Sequence, residues 1–219
     1  MATKRTLTEA ETLEQYRVSL DNAENQSEIA TIMTEFGYDS ETIGQGKALL
    51  AETRQAYAAN KTEDDETSAA YNSFSNLKDQ LAETYSLHRK KAKVVFRNDS
   101  LTMDKLAVSG SVPKAYVKWL ETAKKFYSVA STDTDLQSKL ARLKITTDDL
   151  TAASTLISNL EAARADYLRE KGESQDSTKI KDAAFVKIDD WMSEFYAVAK
   201  IALEDNPQLL ESLGKLVRS

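Results

Sequence analysis

Residues 67–97 read TSAAYNSFSNLKDQLAETYSLHRKKAKVVFR, and the spacing of their large side chains decides the fold class. Phe74, Leu77, Leu81, Tyr85, His88, Ala92 and Val95 recur every three or four residues. That period places them on one face of an α-helix and predicts a long helix over about 67–97. Working back toward the N-terminus, the same period predicts helices over about 8–22 (Leu13, Tyr16, Leu20, Ala23) and 27–36 (Ile29, Met33, Phe36). Gly37 is expected to end the second of these, because glycine accepts the positive φ of a helix C-terminus. Asp39 or Ser40 then caps a helix of about 41–60, with Ile43, Leu50, Thr53 and Tyr57 inward. The run 61–68, Lys-Thr-Glu-Asp-Asp-Glu-Thr-Ser, reads as an acidic, solvated loop or helix start.

Composition agrees with long helices. The 219 residues include six glycines and two prolines, about a third of the ~12% combined share of average usage. Sheet proteins spend these residues at their many turns, so an all-β or doubly wound α/β fold is disfavoured. The chain has no cysteine, which removes disulfides, thiolate metal sites and cysteine nucleophiles. A net charge of -6 argues against nucleic acid as a partner. Neither a signal-like apolar run behind Lys4-Arg5 nor a membrane-length apolar stretch is present, so a soluble, cytoplasmic protein without membrane contact is expected.

Beyond residue 107 the pattern starts again. A shift of 107 residues brings Leu13 onto Leu120, Leu20 onto Tyr127, Met33 onto Leu140, Ile43 onto Leu150, Leu81 onto Ile188 and Ala92 onto Ala199. Capping and breaking signals recur at the same offset, Asp39-Ser40-Glu41 with Thr146-Thr147-Asp148 and Asn98-Asp99-Ser100 with Asp205-Asn206-Pro207. The expected fold is all-α, with two tandem similar helical units, 1–108 and 109–219, packed as a pseudo-two-fold helical bundle. Gly110 marks the seam, and Pro113 and Pro207 are expected to start helices.

Familiar bundle chemistry finds few residues to use. Di-iron bundles need two Glu-x-x-His pairs, and His88 is the only histidine. His88 lies on the apolar stripe and corresponds to Phe195, which reads as a packed histidine. Gly44-Gln-Gly-Lys47 lacks the spacing of a phosphate-binding loop and reads as small residues at a close helix contact. An all-carboxylate Mg²⁺ site of the helical nucleotide pyrophosphohydrolase type would draw on Glu11 and Glu14, Asp79 and Glu83, or Asp189, Asp190 and Glu194. Acid pairs of this kind usually form solvated faces, so no catalytic residue, metal ligand or cofactor is expected.

Two surfaces remain as binding candidates. Arg89, Lys90, Lys93 and Arg97 lie in a run of positive charge with no acid in it, with Arg89, Lys93 and Arg97 on one stripe. The stripe is a candidate for an anionic partner. His88, Trp119, Tyr127, Trp191 and Phe195 are the candidate lining of a pocket between the repeats. The stretches 36–50, FGYDSETIGQGKALL, and 191–214, WMSEFYAVAKIALEDNPQLLESLG, resemble bacterial all-helical proteins built from a doubled bundle, a group without an assigned activity. The resemblance implies the fold and a soluble bacterial setting and carries no site residue across. The expected function is non-enzymatic binding of a protein partner, a ligand or a second copy, with the Mg²⁺ hydrolase and the anion binder as alternatives.

Overall fold

Thr8 opens the first helix with a reciprocal cap: the Glu11 N–H donates to Thr8 Oγ1, and the Thr8 N–H donates to the Glu11 carboxylate. The computed structural model describes residues 7–214. Among them are eight helices and no strand: α1 Glu9–Asn25, α2 Ser27–Glu35, α3 Ser40–Val95, α4 Ser100–Lys105, α5 Tyr116–Thr132, α6 Thr134–Ala141, α7 Thr147–Ala202 and α8 Leu209–Ser212.

The expected punctuation holds at several ends. Gly37 follows α2 with φ 87°, and the Asp39 carboxylate accepts the Thr42 N–H at 2.9 Å. Thr146 and Asp149 form a second reciprocal cap at the start of α7. Pro113 does not start a helix, because α5 begins three residues later behind Ala115. Pro207 likewise precedes α8 by two residues.

The largest departure is at 61–68, which is helical throughout. Residues 41–60 and 67–97 join into the 56-residue α3. Its four acids leave no breaker in the run, and Glu and Lys are good helix formers. Side chains also fasten this part of α3 to α7: Asn60 donates to Thr178 Oγ1 at 3.1 Å, Ser174 donates to Asp64 at 2.7 Å, and Thr67 donates to the Glu170 carbonyl at 3.1 Å.

The chain divides into two compact units. Unit 1 takes the chain through Asp64 together with the part from Glu173 onward; unit 2 is Asp65–Gly172. These units divide the chain differently from the expected halves 1–108 and 109–219, since each unit takes segments from both halves. Unit 1 packs α1, α2, the first part of α3, the last part of α7 and α8 around Leu20, Ile29, Met33, Ile43, Phe185, Ile188, Phe195 and Leu213. Within it α3 and α7 run antiparallel, as the Thr53–Ala184 and Asn60–Thr178 hydrogen bonds require. Three donors one turn apart on α1, Gln15, Ser19 and Asn22, bond the carbonyls of Gly214, Leu213 and Ser212 and so tie down the end of α8 and the two residues after it.

Unit 2 packs the rest of α3 and α7 with α4, α5 and α6 around Leu81, Tyr85, Leu106, Val108, Phe126, Tyr127, Leu140 and Leu160. Here too α3 and α7 are antiparallel: Thr67 donates to the Glu170 carbonyl at 3.1 Å and Phe74 stacks on Tyr167 at 6.1 Å, while Lys91 donates at 3.2 Å to the Lys144 carbonyl just before α7. Phe36, expected inward, is 46% exposed. It lies past the last turn of α2, where the chain has left the helical face that buries Met33.

Candidate functional site

Unit 2 holds three of the five residues expected to line a pocket. His88, Trp119 and Tyr127 are all buried there, and His88 Nδ1 lies 3.1 Å from the Tyr127 hydroxyl. Tyr127 also meets Phe126 edge-on at 5.0 Å, and the Tyr85 ring lies 6.2 Å away. Burial lowers the His88 pKa from its ordinary value, opposed by the negative charge of Asp149 and helped by Lys91. Burial also raises the Tyr127 pKa, with Tyr85 and Asp149 adding to the rise. The pair is therefore a neutral imidazole and a neutral phenol sharing one hydrogen bond inside a packed core. Trp191 and Phe195 lie in the core of unit 1, where their rings stack at 5.6 Å with Tyr38 edge-on to both. The structure thus brings His88 and Tyr127 together and assigns Trp191 and Phe195 to the other core.

The basic stripe is partly spent on the fold. One terminal nitrogen of Arg89 donates to the carbonyls of Val108, Ser109 and Gly110 at 2.8, 3.3 and 2.7 Å. Lys93 reaches the Gly110 carbonyl at 3.3 Å. These bonds hold the seam against α3 and satisfy carbonyls that no helix can satisfy. Lys90 and Arg97 remain exposed. Of the five cations in the run, Arg89, Lys91 and Lys93 therefore bond loop carbonyls, and Lys90 and Arg97 face solvent.

The acidic candidates are also accounted for locally. Glu11 is held below the ordinary carboxylate range by its bonds to Thr8, and Glu14 by its bonds to Arg17 and Arg54. The Asp189 carboxylate accepts the Tyr16 hydroxyl at 2.9 Å. Asp79 and Glu83 are exposed on α3 within unit 2, whereas Glu11, Glu14 and Asp189 belong to unit 1. Gly46 sits where a Cβ would come within 2.5 Å of the Trp191 ring, in keeping with the close helix contact expected of this segment. Lys47 pairs with Asp21 and Glu24.

One arrangement has no counterpart among the sequence expectations. Where α3 and α6 end in unit 2, a cleft of about 390 Å³ is lined by Val94, Phe96, Arg97, Asp99, Arg142 and Leu143. Val94 is 58% exposed, and Leu101 on the neighbouring α4 is 80% exposed. Arg97 and Arg142 are both exposed and make no ion pair within the described residues. The sequence signal was weak: Arg97 ended the basic stripe, but Arg142 lies far along the chain and lacks a periodic partner.

No described helix is long and apolar enough to cross a membrane. Comparison of the chain with protein families, with curated proteins and with solved structures found no match.

Proposed function

We propose that this chain is a non-enzymatic helical protein that binds a macromolecular partner through apolar side chains left exposed at helix ends. The observation that carries this reading is the contrast in unit 2 between its interior and the ends of α3 and α6. The sole histidine is buried and hydrogen-bonded, and Arg89 and Lys93 are spent on the seam. Val94, in contrast, stands exposed in a cleft rimmed by Arg97 and Arg142, and Leu101 on the following helix α4 is exposed as well. A soluble protein that exposes clustered large apolar side chains usually covers them with a partner.

The test compares the wild-type chain with Val94→Asp/Leu101→Asp as bait in a cell extract, with retained proteins identified by mass spectrometry. Both side chains face solvent, so the variant should melt like the wild type while losing the specific partner. Retention of the same partner by both chains would overturn the reading. So would thermal stabilisation by millimolar Mg²⁺ that disappears in Glu11→Ala, which would favour the hydrolase.

We also infer that the chain is an internal duplication of about 107 residues. Several coincidences support it. α1 Glu9–Asn25 and α5 Tyr116–Thr132 differ by 107 at both ends, and so do α3 Ser40–Val95 and α7 Thr147–Ala202. Positive φ occurs at Gly37 and Lys144 and again at Ala107 and Gly214, each pair 107 apart. The two copies would then have exchanged parts, each compact unit being completed by the end of the other copy's long helix. In this reading the cap, break and core positions of both copies are kept, and their surface charges have diverged.

A further inference from the structure

Matching helix ends in the two units carry opposite charge. In unit 2, α3 and α6 end with Arg97 and Arg142 exposed, next to exposed Val94 and partly exposed Leu143. The corresponding ends in unit 1 belong to α7 and α2. There Glu204 and Glu35 are exposed, next to exposed Ile201 and Phe36. Each carboxylate lies 107 residues from one of the guanidinium groups, Glu204 from Arg97 and Glu35 from Arg142, and the apolar neighbours match in the same way. The residues just inside these ends, Met33 and Leu203 in one unit and Phe96 and Leu140 in the other, are buried in their respective cores. Both ends are therefore seated on packed helices. None of the four charged side chains makes an ion pair within the described residues.

Taking Glu35 and Glu204 to share one surface, by the 107-residue correspondence with Arg97 and Arg142 in their common cleft, we propose that these two surfaces bind each other between copies of the chain, the Arg97–Arg142 end of one copy receiving the Glu35–Glu204 end of the next. This inference rests on the partner-binding reading and names the partner as a second copy. An arginine pair meeting a carboxylate pair gives charge-assisted hydrogen bonds, and Val94 and Leu143 would lie against Ile201 and Phe36. The same charges forbid two ends of one kind from meeting, which sets the orientation. Because the two surfaces differ, the contact is head-to-tail, and assembly continues beyond two copies unless it closes into a ring. Asp99 and Lys200 carry the minority charge at the two ends. Asp99 is engaged with Thr102 as the cap of α4, and Lys200 is a single exposed cation beside the acids. The overall charge of -6 opposes nonspecific clustering of copies, so association depends on the local match.

Sedimentation velocity over a concentration series tests this, with far-UV circular dichroism on every variant. The wild type should gain mass with concentration at low salt and lose that gain at about 0.5 M salt, where screening acts within a few ångströms. Arg97→Glu/Arg142→Glu presents two acidic ends, and Glu35→Arg/Glu204→Arg presents two basic ends. Each should remain monomeric alone, and an equimolar mixture of the two should associate. A wild type that stays monomeric at low salt overturns the inference, as does association indifferent to salt or to either reversal. If a variant misfolds, the salt response of the wild type still decides. A monomeric wild type would leave the broader partner-binding reading to the capture comparison of wild type with Val94→Asp/Leu101→Asp, so the two failures are distinguishable.

Discussion

Two glycines two residues apart on α3 should respond oppositely to the same substitution. An ideal Cβ at Gly44 meets nothing within 4 Å, so Gly44→Ala should gain the intrinsic helix preference of alanine, about 0.8–1 kcal/mol. At Gly46 a Cβ would lie 2.5, 2.7 and 2.9 Å from three ring carbons of Trp191. Carbon atoms in contact sit about 3.5–4.0 Å apart, so the indole would have to retreat by about 1 Å. Phe195 stacks on that ring at 5.6 Å with the planes 13° apart, and Tyr38 meets it edge-on at 5.7 Å. Overpacking of this kind costs about 1–3 kcal/mol. After the helical gain, Gly46→Ala should come out destabilised by up to about 2 kcal/mol, leaving the two variants about 1–3 kcal/mol apart. Urea unfolding followed by circular dichroism reads both. Trp191→Phe removes the clashing atoms, so Gly46→Ala should cost less in that background, with a coupling of about 1–2 kcal/mol. A Gly46→Ala protein as stable as Gly44→Ala would refute the close packing of α3 against Trp191.

Further outcomes follow from the cores. The folded state holds His88 neutral with its pKa below the ordinary value. Its contribution is therefore fully present above the unfolded pKa of about 6.5, falls as pH drops below that value toward the folded pKa, and changes no further beneath it. The urea midpoint should decline between pH 7.5 and 5.5 (about one unit to either side of that pKa), and His88→Phe should flatten the slope; an unchanged slope would remove His88 as its source. Lys144 adopts φ 55°, the position that Gly37 fills 107 residues earlier. Left-handed backbone costs a side-chain residue about 1–2 kcal/mol, and the added freedom of the unfolded glycine offsets about 0.4–1 kcal/mol. Lys144→Gly should thus stabilise unit 2 by up to about 1.6 kcal/mol, and a loss of stability would contradict the strain. Removing the three carbonyl contacts of Arg89 should free the seam, so Arg89→Ala should speed proteolytic nicking near Gly110 without weakening polyanion binding; a large loss of heparin affinity would restore this residue to the anion-binding stripe.

Helix faces and helix ends were legible in the sequence because they are local. Gly37, Asp39, Thr146 and the stripe from Phe74 to Val95 act within a few residues, and the structure uses each where expected. The continuity of α3 is not legible in the sequence because the charge density at 61–68 resembles a solvated loop, although no residue there opposes a helix. Periodicity also names the face a helix buries but not the helix that covers it. Leu81 and Ile43 share a helix yet lie in different cores, and Trp119 and Trp191 are likewise separated. Arg89 shows the same limit at a site: its spacing placed it on a cationic stripe, whereas its role depends on carbonyls about 20 residues away in the seam. The Arg97–Arg142 pairing joins separate helices and left no periodic trace.

The compact units cut across the expected halves 1–108 and 109–219, and isolated fragments separate the two divisions. Residues 65–172 contain the whole core of unit 2 in one continuous stretch, from Leu81 to Leu160. The fragment 1–108 separates Tyr85 and Leu81 from the α5 residues Phe126 and Tyr127 that cover them. Urea unfolding of the isolated 65–172 fragment should give a cooperative transition from a helical monomer, while monomeric 1–108 should show none. A fragment 65–172 without cooperative unfolding, beside a monomeric 1–108 that unfolds cooperatively, would overturn the division into units at 64/65 and 172/173.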